Sequence, residues 1–240
     1  MRVRDAVVVI TGASSGIGRA TALAFADKGA AVVLAARREE ALAEVAAECA
    51  QRGVQALVVP TDVTDPVAVE ALGRRAAERF GRIDVWVNNA AVTVFGPFEE
   101  TPLQDIRRVL DVNVMGYVHG ARTALPYLRE QGQGVLVNVS SIVGVVSQPY
   151  THAYVMAKFA IRALSASLRQ ELRLTGRAGC TSAPSYRRPS TPRCSSTGPT
   201  TPVARRSRCR RCTRRSALPV PSSTWSAAPG ERSSSGRQGG

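Results

Sequence analysis

Short apolar runs alternate with helical patterns along most of the chain. Five runs are rich in valine and apolar at successive positions, which predicts strands buried on both faces: AVVVITG, AAVVLAA, ALVVP, IDVWVNNA and GVLVNVSS. The stretches after them predict helices over 17–27, 39–51, 66–80, 103–130 and 151–174. The pattern therefore predicts an α/β fold, a doubly wound parallel sheet with helices on both faces. We expect a kink near Pro126 in the fourth helix.

The last quarter of the chain has a different composition. Residues 1–176 carry 19 basic and 17 acidic side chains, whereas residues 177–240 carry 13 arginines and one acid. Most of the net charge of +14 therefore belongs to the tail and does not predict a polyanionic partner for the rest of the chain. A segment of Arg, Ser, Pro, Thr and Gly buries too little apolar surface to offset its ordering entropy. We predict a single folded domain over 1–176 and a disordered tail over 177–240.

The loop TGASSGIG, from Thr11 to Gly18, joins the first strand to the first helix. Glycines in such a turn let a pyrophosphate approach backbone N–H groups at a helix N-terminus, where the helix dipole favours negative charge. A dinucleotide-binding loop requires this context of strand, loop and helix. The alternative is an ordinary glycine-rich turn that binds no ligand.

Further motifs follow this loop in an order that resembles the short-chain dehydrogenase/reductase family. NNA ends the fourth strand, DVNVMG contains Asn113, VNVSS contains Ser141, and YVMAK contains Tyr154 and Lys158. The resemblance covers about residues 7–174. It implies a Rossmann-type single domain and an oxidoreductase that transfers a hydride between a nicotinamide cofactor and a small carbonyl or secondary alcohol substrate.

Tyr154 and Lys158 are four residues apart, so on a helix they share one face. An adjacent ammonium lowers the pKa of a tyrosine by roughly one to three pH units, which would make Tyr154 a proton donor or acceptor near neutral pH. The resemblance implies that Lys158 also holds the nicotinamide ribose, that Ser141 bonds the substrate oxygen, and that Asn113 positions a water. The alternatives are a surface Tyr-Lys pair, a serine that caps a strand and an asparagine bonded to backbone.

The end of the second strand, VVLAARRE, bears on which nicotinamide cofactor is used. NAD sites place a carboxylate here against the ribose 2′-hydroxyl, whereas an arginine accommodates the 2′-phosphate of NADP. The chain has Ala36 at the acidic position, followed by Arg37 and Arg38. We therefore predict a preference for NADP with Arg37 as its main contact, and NAD is the alternative cofactor. A second interpretation is that both arginines are solvated at a helix start.

The resemblance implies a larger set of cofactor contacts. The set is Gly12, Ser14, Ser15, Gly16, Ile17, Gly18, Arg37, Asp62, Val63, Asn89, Tyr154 and Lys158. Within it, Asp62 and Val63 match the family's adenine-contacting pair, and Asn89 matches a backbone contact to the cofactor. Ala91 stands where the family usually has glycine, which narrows the space beside the cofactor. We interpret His152 as a polar loop residue that lines the pocket.

The resemblance ends at about residue 174. A family member continues with a sixth strand, a lid over the substrate and a seventh strand, but here the chain reads GRAGCTSAPSYRRPSTPRCSSTGPTT, which predicts neither strand. We therefore expect C-terminal strands that are missing or replaced. With GC-rich codons and a frame shifted by one nucleotide, residues 180–203 can be reread as LHVCAVLPAAVDTPLFQHGANYTG. Our hypothesis is that the tail from about residue 177 is an out-of-frame translation of an ordinary family C-terminus.

Other classes of function fit the sequence less well. A dinucleotide-binding protein without turnover, or a family member that the altered tail inactivates, would retain the glycine loop. Nucleic-acid binding through the basic run RRSRCRRCTRR is not expected, because the tail has no regularly interleaved aromatic side chains. A metal site is not expected either, because Cys209 and Cys212 have no second Cys/His pair at ligand spacing.

Location and assembly follow from similar considerations. No apolar stretch reaches the length of a membrane span, and the N-terminal run does not resemble a signal peptide, so we expect a cytoplasmic protein without a membrane partner. The family resemblance implies a homodimer or homotetramer that packs through the helices at 103–130 and 151–174.

Overall fold

The computed structural model describes residues 2–175 and the backbone of residues 180–185. They form one parallel sheet of six strands in the order β3-β2-β1-β4-β5-β6. The strands are β1 Val7–Thr11, β2 Ala31–Ala36, β3 Ala56–Pro60, β4 Val85–Asn88, β5 Gly134–Val139 and β6 Cys180–Ser185. These elements belong to a compact unit, Met1–Ser190, and a second unit, Thr191–Gly240, lies outside the described residues. The strand order reverses beside β1, which opens a crevice at the carboxyl ends of β1 and β4.

Helices cover both faces of the sheet. They are α1 Gly16–Ala26, α2 Glu39–Ala50, α3 Pro66–Phe80, α4 Leu103–Leu110, α5 Gly116–Glu130 and α6 His152–Leu174. Successive residues of β1 point to opposite faces, as in any strand. Val7 and Val9 join the core that α3 and α5 cover, whereas Val8 and Ile10 join the core under α1 and α2. The predicted doubly wound Rossmann-type fold is confirmed.

The ends of α3 show how local sequence sets an element. The Asp65 side chain accepts a hydrogen bond from the backbone N–H of Val67 at 2.9 Å. Pro66 occupies the first helical position, where its missing N–H has no partner to lose. Gly81 ends the helix with φ 74°, a left-handed conformation that suits glycine. As a result, α3 has the bounds that the pattern predicts.

The helical region predicted over 103–130 is interrupted. A π-helical turn, Asp111–Met115, separates α4 from α5, and Asn113 lies at its centre. The predicted kink near Pro126 is not where the helical geometry changes, because α5 continues across Pro126 to Glu130. A π turn carries one extra residue per turn and is frequently found at functional sites. The irregularity therefore coincides with a candidate catalytic residue.

The sequence predicts C-terminal strands that are missing or replaced, and at the sixth position the structure has a strand that the sequence pattern does not predict. β6, Cys180–Ser185, pairs in parallel with β5 over six residues, from Gly134 opposite Cys180 to Val139 opposite Ser185. The physical reason is that a strand edge offers backbone N–H and C=O groups that any chain can pair with, whatever its side chains. The sequence CTSAPS lacks the apolar pattern by which a strand is recognised, so periodicity gave no sign of it.

A buried polar network ties the centre of the sheet to α6. The Asn88 side chain donates to Asn138 Oδ1 at 3.0 Å, and the Asn138 side chain donates to Ser165 Oγ at 2.9 Å. Asn88 Oδ1 also accepts from the Trp86 indole at 2.8 Å. All these groups are buried, and each is paired, so the network fixes α6 against β4 and β5 at little cost. It thereby fixes the helix that carries Tyr154.

Candidate active site

The glycine loop between β1 and α1 has no room for side chains at two of its glycines. Gly12 has φ 65°, and a Cβ atom there would lie 2.8 Å from the Ala90 backbone. A Cβ atom on Gly18 would overlap the carbonyl of Gly12 and the Asn89 amide. Gly16, the first residue of α1, has φ 54°, and a Cβ atom there would have no neighbour within 4 Å. At its glycines the loop therefore presents backbone without side chains at the N-terminus of α1, an arrangement that fits a pyrophosphate.

Asn89 fastens this loop to the end of β4. Its side-chain amide donates to the carbonyls of Thr11, at 3.0 Å, and Gly12, at 3.2 Å. The Thr11 hydroxyl in turn accepts from the backbone N–H groups of Asn89 and Ala90, at 3.0 and 3.2 Å. Asn89 thus supports the loop from below as well as lining the cleft. Sequence reasoning assigned it only a backbone contact to the cofactor.

A cavity of about 390 Å³ lies at the carboxyl ends of β1 to β4. It brings together nine of the predicted cofactor residues, namely Gly12, Ser14, Ser15, Gly16, Ile17, Arg37, Asp62, Val63 and Asn89. Ala91 also lines this cavity, so its methyl group takes space beside a ligand, as expected. Gly18, Tyr154 and Lys158 do not line it, because Gly18 is buried beneath the loop and the other two lie on α6.

One end of the cavity, formed by Arg37, Arg38, Asp62 and Arg108, is the charged end. Arg37 and Arg38 are exposed, whereas Arg108 reaches across from α4 to within 3.5 Å of Asp62. Burial raises the pKa of Asp62, but hydrogen bonds from the Thr64 N–H and hydroxyl, together with Arg108, outweigh it and lower that pKa overall. The charged end therefore presents three guanidinium groups and one ionised carboxylate.

Sequence reasoning did not single out Arg108. The residue sits five positions before Asn113 on a helix with two arginines, Arg107 and Arg108, and nothing in the pattern marks the one that turns toward the cleft. Its proximity to Asp62, two residues beyond the end of β3, depends on the tertiary fold. The only feature of the sequence that could have pointed to Arg108 is that it is a basic residue on the helix after β4.

Asn113 in the π-helical turn is completely buried. Its side-chain oxygen accepts from the Val92 N–H, and its amide donates to the Val92 carbonyl, both at 2.8 Å. The side chain is thus bonded to backbone, one of the alternatives that the sequence left open. It holds the segment after β4 against the helical layer, beside the cavity that Val92 lines.

Ser141 and Tyr154 meet just beyond the end of β5. The Ser141 hydroxyl lies beside the Tyr154 side chain and lowers its pKa, and it accepts a hydrogen bond from the Val143 N–H at 3.4 Å. Burial raises the pKa of Tyr154, and the effect of Ser141 only partly opposes that rise. The prediction that a neighbouring ammonium lowers this pKa is wrong for the structure described here, and the geometry of Lys158 gives the reason.

Lys158 is buried, and its ammonium bonds oxygen atoms other than the Tyr154 hydroxyl. Its Nζ donates to the Val139 carbonyl at 2.8 Å and to the Tyr117 hydroxyl at 3.2 Å, and it lies 5.4 Å from the centre of the Tyr154 ring. Burial lowers the pKa of Lys158 to about 8. Desolvation therefore dominates both groups, and the ammonium does not bond the hydroxyl that it was expected to acidify.

His152 is the first residue of α6 rather than a loop residue. Its ring meets the edge of the Phe98 ring at 4.9 Å between centroids, and both residues line a second cavity of about 440 Å³. The Nε2 atom of His152 is buried without a hydrogen-bond partner among the described residues. The expected position beside a pocket is thus observed, but this pocket shares no lining residue with the glycine-loop cavity.

Several known proteins resemble this chain in sequence. The sequence profile of the short chain dehydrogenase family matches residues 6–183. This chain belongs to that family. It is 43% identical over 172 residues to the Bacillus subtilis (strain 168) oxidoreductase YxnA, and 37% identical over 172 residues to the Homo sapiens dehydrogenase/reductase SDR family member 7. The matches cover 71% and 70% of this chain but 48% and 51% of the relatives, so the chain spans about half their length.

Solved structures of the family superpose on the same fold. A short-chain dehydrogenase/reductase from Burkholderia phymatum in complex with NAD matches with a TM-score of 0.75 and 35% identity, over 78% of this chain and 66% of the other. An alcohol dehydrogenase from Thermococcus sibiricus complexed with 5-hydroxy-NADP matches with a TM-score of 0.70 and 33% identity, over 76% and 77%. The family to which this chain belongs is one of dehydrogenases and reductases.

Two further findings concern only the part of the chain that the structure describes. None of its helices is both long and apolar enough to cross a bilayer. No three of its histidine, cysteine or acidic side chains are grouped in a way that suits a metal ion. The cysteine pair at Cys209 and Cys212 and the arginine-rich run around it lie outside the described residues.

Proposed function

We propose that this chain interconverts a carbonyl and a secondary alcohol with NADP(H), using Tyr154 as the acid/base. The observation that supports the proposal is the proximity of Ser141 and Tyr154, with Lys158 Nζ 5.4 Å from the centre of the Tyr154 ring, at the same edge of the sheet as the glycine loop. A proton donor and a second hydroxyl would then face a substrate oxygen together.

The chain's residues fit a nicotinamide dinucleotide. The bare backbone of the Gly12–Gly18 loop would hold the pyrophosphate, and Val63 and Asp62 would border the adenine. When bound, the nicotinamide supplies or accepts the hydride. Arg37, beside the neutral Ala36, supports NADP over NAD, because a guanidinium matches a 2′-phosphate and a carboxylate is absent from that position.

The environment of Tyr154 supports carbonyl reduction as the favoured direction. Burial raises the pKa of the phenol, so it remains protonated at neutral pH and can give its proton to the substrate oxygen. In the reverse direction the same oxygen would take the proton back. The Ser141 hydroxyl would hydrogen-bond the substrate oxygen, and Lys158 would stabilise the phenolate that remains after proton transfer.

Replacement of Tyr154 by phenylalanine tests the proposal. We expect Tyr154→Phe to reduce the rate of NADPH oxidation with a panel of aromatic aldehydes and diketones by about 10²–10⁴-fold, because general acid catalysis is lost. NADPH affinity, measured by fluorescence, should stay within a factor of a few. Tyr150→Phe is the matched control, since Tyr150 is exposed on the preceding loop.

Two outcomes would contradict the proposal. Equal rates for the wild type and Tyr154→Phe would exclude this tyrosine as the acid. Tight NADPH binding without turnover of any carbonyl would favour a dinucleotide-binding protein that performs no chemistry.

We also propose self-association, a cytoplasmic location and an altered reading frame. Exposed apolar side chains on the helices, Leu103 on α4 and Phe159 on α6, support a homodimer or homotetramer. The cytoplasmic location rests on the sequence patterns alone. The step in composition near residue 177 and the end of the family match at residue 183 support the out-of-frame tail. Resequencing of the gene across the codons for residues 174–180 tests the frame directly.

A further inference from the structure

The ammonium of Lys158 sits in a buried site with two oxygen acceptors. One acceptor is the Val139 carbonyl, at the last residue of β5, at 2.8 Å from Nζ. The other is the hydroxyl of Tyr117, in the first turn of α5, at 3.2 Å. The Tyr117 ring is also close, with its centre 5.0 Å from Nζ. Only 1% of Tyr117 and 1% of Lys158 is exposed, so water does not take part from outside.

The direction of the hydrogen bonds follows from counting donors. The Tyr117 hydroxyl has one hydrogen, and it donates this hydrogen to the Val139 carbonyl at 3.1 Å. Its lone pairs therefore face Lys158 Nζ, which has three hydrogens and no lone pair when charged. The three groups form a closed triangle in which the two oxygens accept from the ammonium. Such an arrangement favours the charged lysine and fixes its position.

Tyr117 is itself held from the opposite side. Its backbone carbonyl accepts from the Asn88 side chain at 3.2 Å, and Asn88 belongs to the buried network between β4 and α6. The residue directly follows Gly116, at which α5 resumes after the π-helical turn. The position of the Tyr117 hydroxyl is therefore fixed by the sheet and by α5. Neither element belongs to α6, the helix that carries Lys158.

We propose that Tyr117 is a positioning residue that holds the Lys158 ammonium in place behind Tyr154 and keeps it charged. The proposal rests on the proposed function of Lys158 as the cationic partner of the catalytic tyrosine. Tyr117 does not touch the reacting atoms and acts through the lysine alone.

Among the described side chains, only that of Tyr117 accepts a hydrogen bond from Lys158 Nζ, and the second acceptor is the Val139 backbone carbonyl. The titratable side chains that face Nζ are Tyr154 from its own helix and Tyr117 from α5. Charged side chains also occur on α4 and the π-helical turn, which pack against α6, namely Asp105, Arg107, Arg108 and Asp111. None of them bonds Lys158 Nζ, whose pKa is lowered by burial. Loss of the Tyr117 hydroxyl would therefore lower that pKa further.

Direct titration of the lysine tests this without reference to activity. The chain contains two lysines, Lys28 and Lys158, so protein labelled with ¹⁵N-lysine gives two Nζ signals that Lys28→Arg assigns. We expect the midpoint of Lys158 in the full chain, without cofactor, to fall by about one pH unit in Tyr117→Phe, as the loss of one hydrogen bond to a charged group implies. An unchanged or raised midpoint would overturn the proposal.

Tyr127→Phe is the matched control. Tyr127 lies on the same helix, but its ring packs toward α3, near Gly73, and its substitution should leave the Lys158 midpoint unchanged. Thermal unfolding of both variants checks that the fold is retained. A Lys158 midpoint that moves equally in both variants would show a general effect of packing and would also overturn the proposal.

The kinetic consequence separates this proposal from the proposed function. If the wild type reduces the carbonyl panel, kcat of Tyr117→Phe should fall about tenfold, as expected for one charge-assisted hydrogen bond, with KM nearly unchanged. The decline of kcat with rising pH should begin at lower pH than in the wild type. If the wild type is inactive but Tyr117→Phe shows the predicted shift of the Lys158 midpoint, the result would contradict the proposed function and support the positioning role of Tyr117.

Discussion

At the charged end of the cavity, Arg37 and Arg38 are exposed and bond no other described side chain. Near Tyr154 and the π-helical turn, Asn113 and Lys158 are buried and bond backbone carbonyls of neighbouring segments. The two exposed arginines thus make no contacts that support the fold, whereas the two buried polar side chains do. Substitutions of Arg37 and Arg38 should alter ligand preference alone, whereas substitutions of Asn113 and Lys158 should alter stability as well.

The largest expected effect tests the buried side of this comparison. Asn113→Leu should lower the free energy of unfolding by about 2–4 kcal/mol, because the Val92 N–H and C=O both lose their partner. Urea unfolding measures the change. Gln104→Leu, at an exposed position on α4, is the control and should have little effect. Equal stability of the two variants would show that the buried asparagine is not part of the fold's support.

An intermediate effect is expected at the exposed end. Arg37→Asp should reduce the preference for NADP over NAD by at least about tenfold, because a charge-assisted contact to the 2′-phosphate becomes a repulsion. The melting temperature should not change, since Arg37 bonds no other described side chain. The ratio of kcat/KM values, or of cofactor affinities, measures the preference. Arg38→Asp serves as the comparison and should have the smaller effect. An unchanged ratio in Arg37→Asp would refute the assignment.

The smallest effect concerns Asp62, which lies between the two extremes. Its pKa in the folded chain is below the ordinary value of 3.8, so its contribution to stability is present above that pH and is lost as the pH falls through the lower folded value. Asp62→Asn should therefore lower the stability slightly at pH 7 and make it fall less steeply below about pH 4, where the wild type loses this contribution. Acid unfolding followed by circular dichroism measures this, with exposed Glu70→Gln as the control. Identical acid profiles for Asp62→Asn and wild type would contradict the expectation.

Much of the fold was predictable because its signals are local. The five valine-rich runs lie at β1 to β5, and capping residues such as Asp65 and Gly81 set helix ends that the pattern predicted. The π-helical turn was not predictable, because Asp111–Met115 is too short to show a period of its own inside a long helical pattern. β6 was not predicted because its sequence has no apolar pattern, and backbone pairing does not require one.

The candidate site was predictable in its membership more than in its contacts. The glycine loop, Arg37 and Asp62 meet in one cavity as expected, because parallel strands end at a common edge. The hydrogen-bond partners of Lys158 could not be predicted from the sequence. As a result, the pKa of Tyr154 was predicted to be lowered, whereas it is raised. Tyr117 escaped notice because a lone aromatic in an apolar helix predicts core packing, and the sequence does not reveal a hydroxyl partner 41 residues away.

The π-helical turn between α4 and α5 sets the rotational phase of one helix against the other. Each residue of an α-helix advances the chain by about 100° around the axis, so one extra residue turns everything before it by that amount relative to everything after it. Deletion of one residue within Asp111–Met115 would therefore swing Arg108 away from Asp62 while Tyr117 kept its place on α5. The alignment of the two ends of the cleft depends on a single inserted residue.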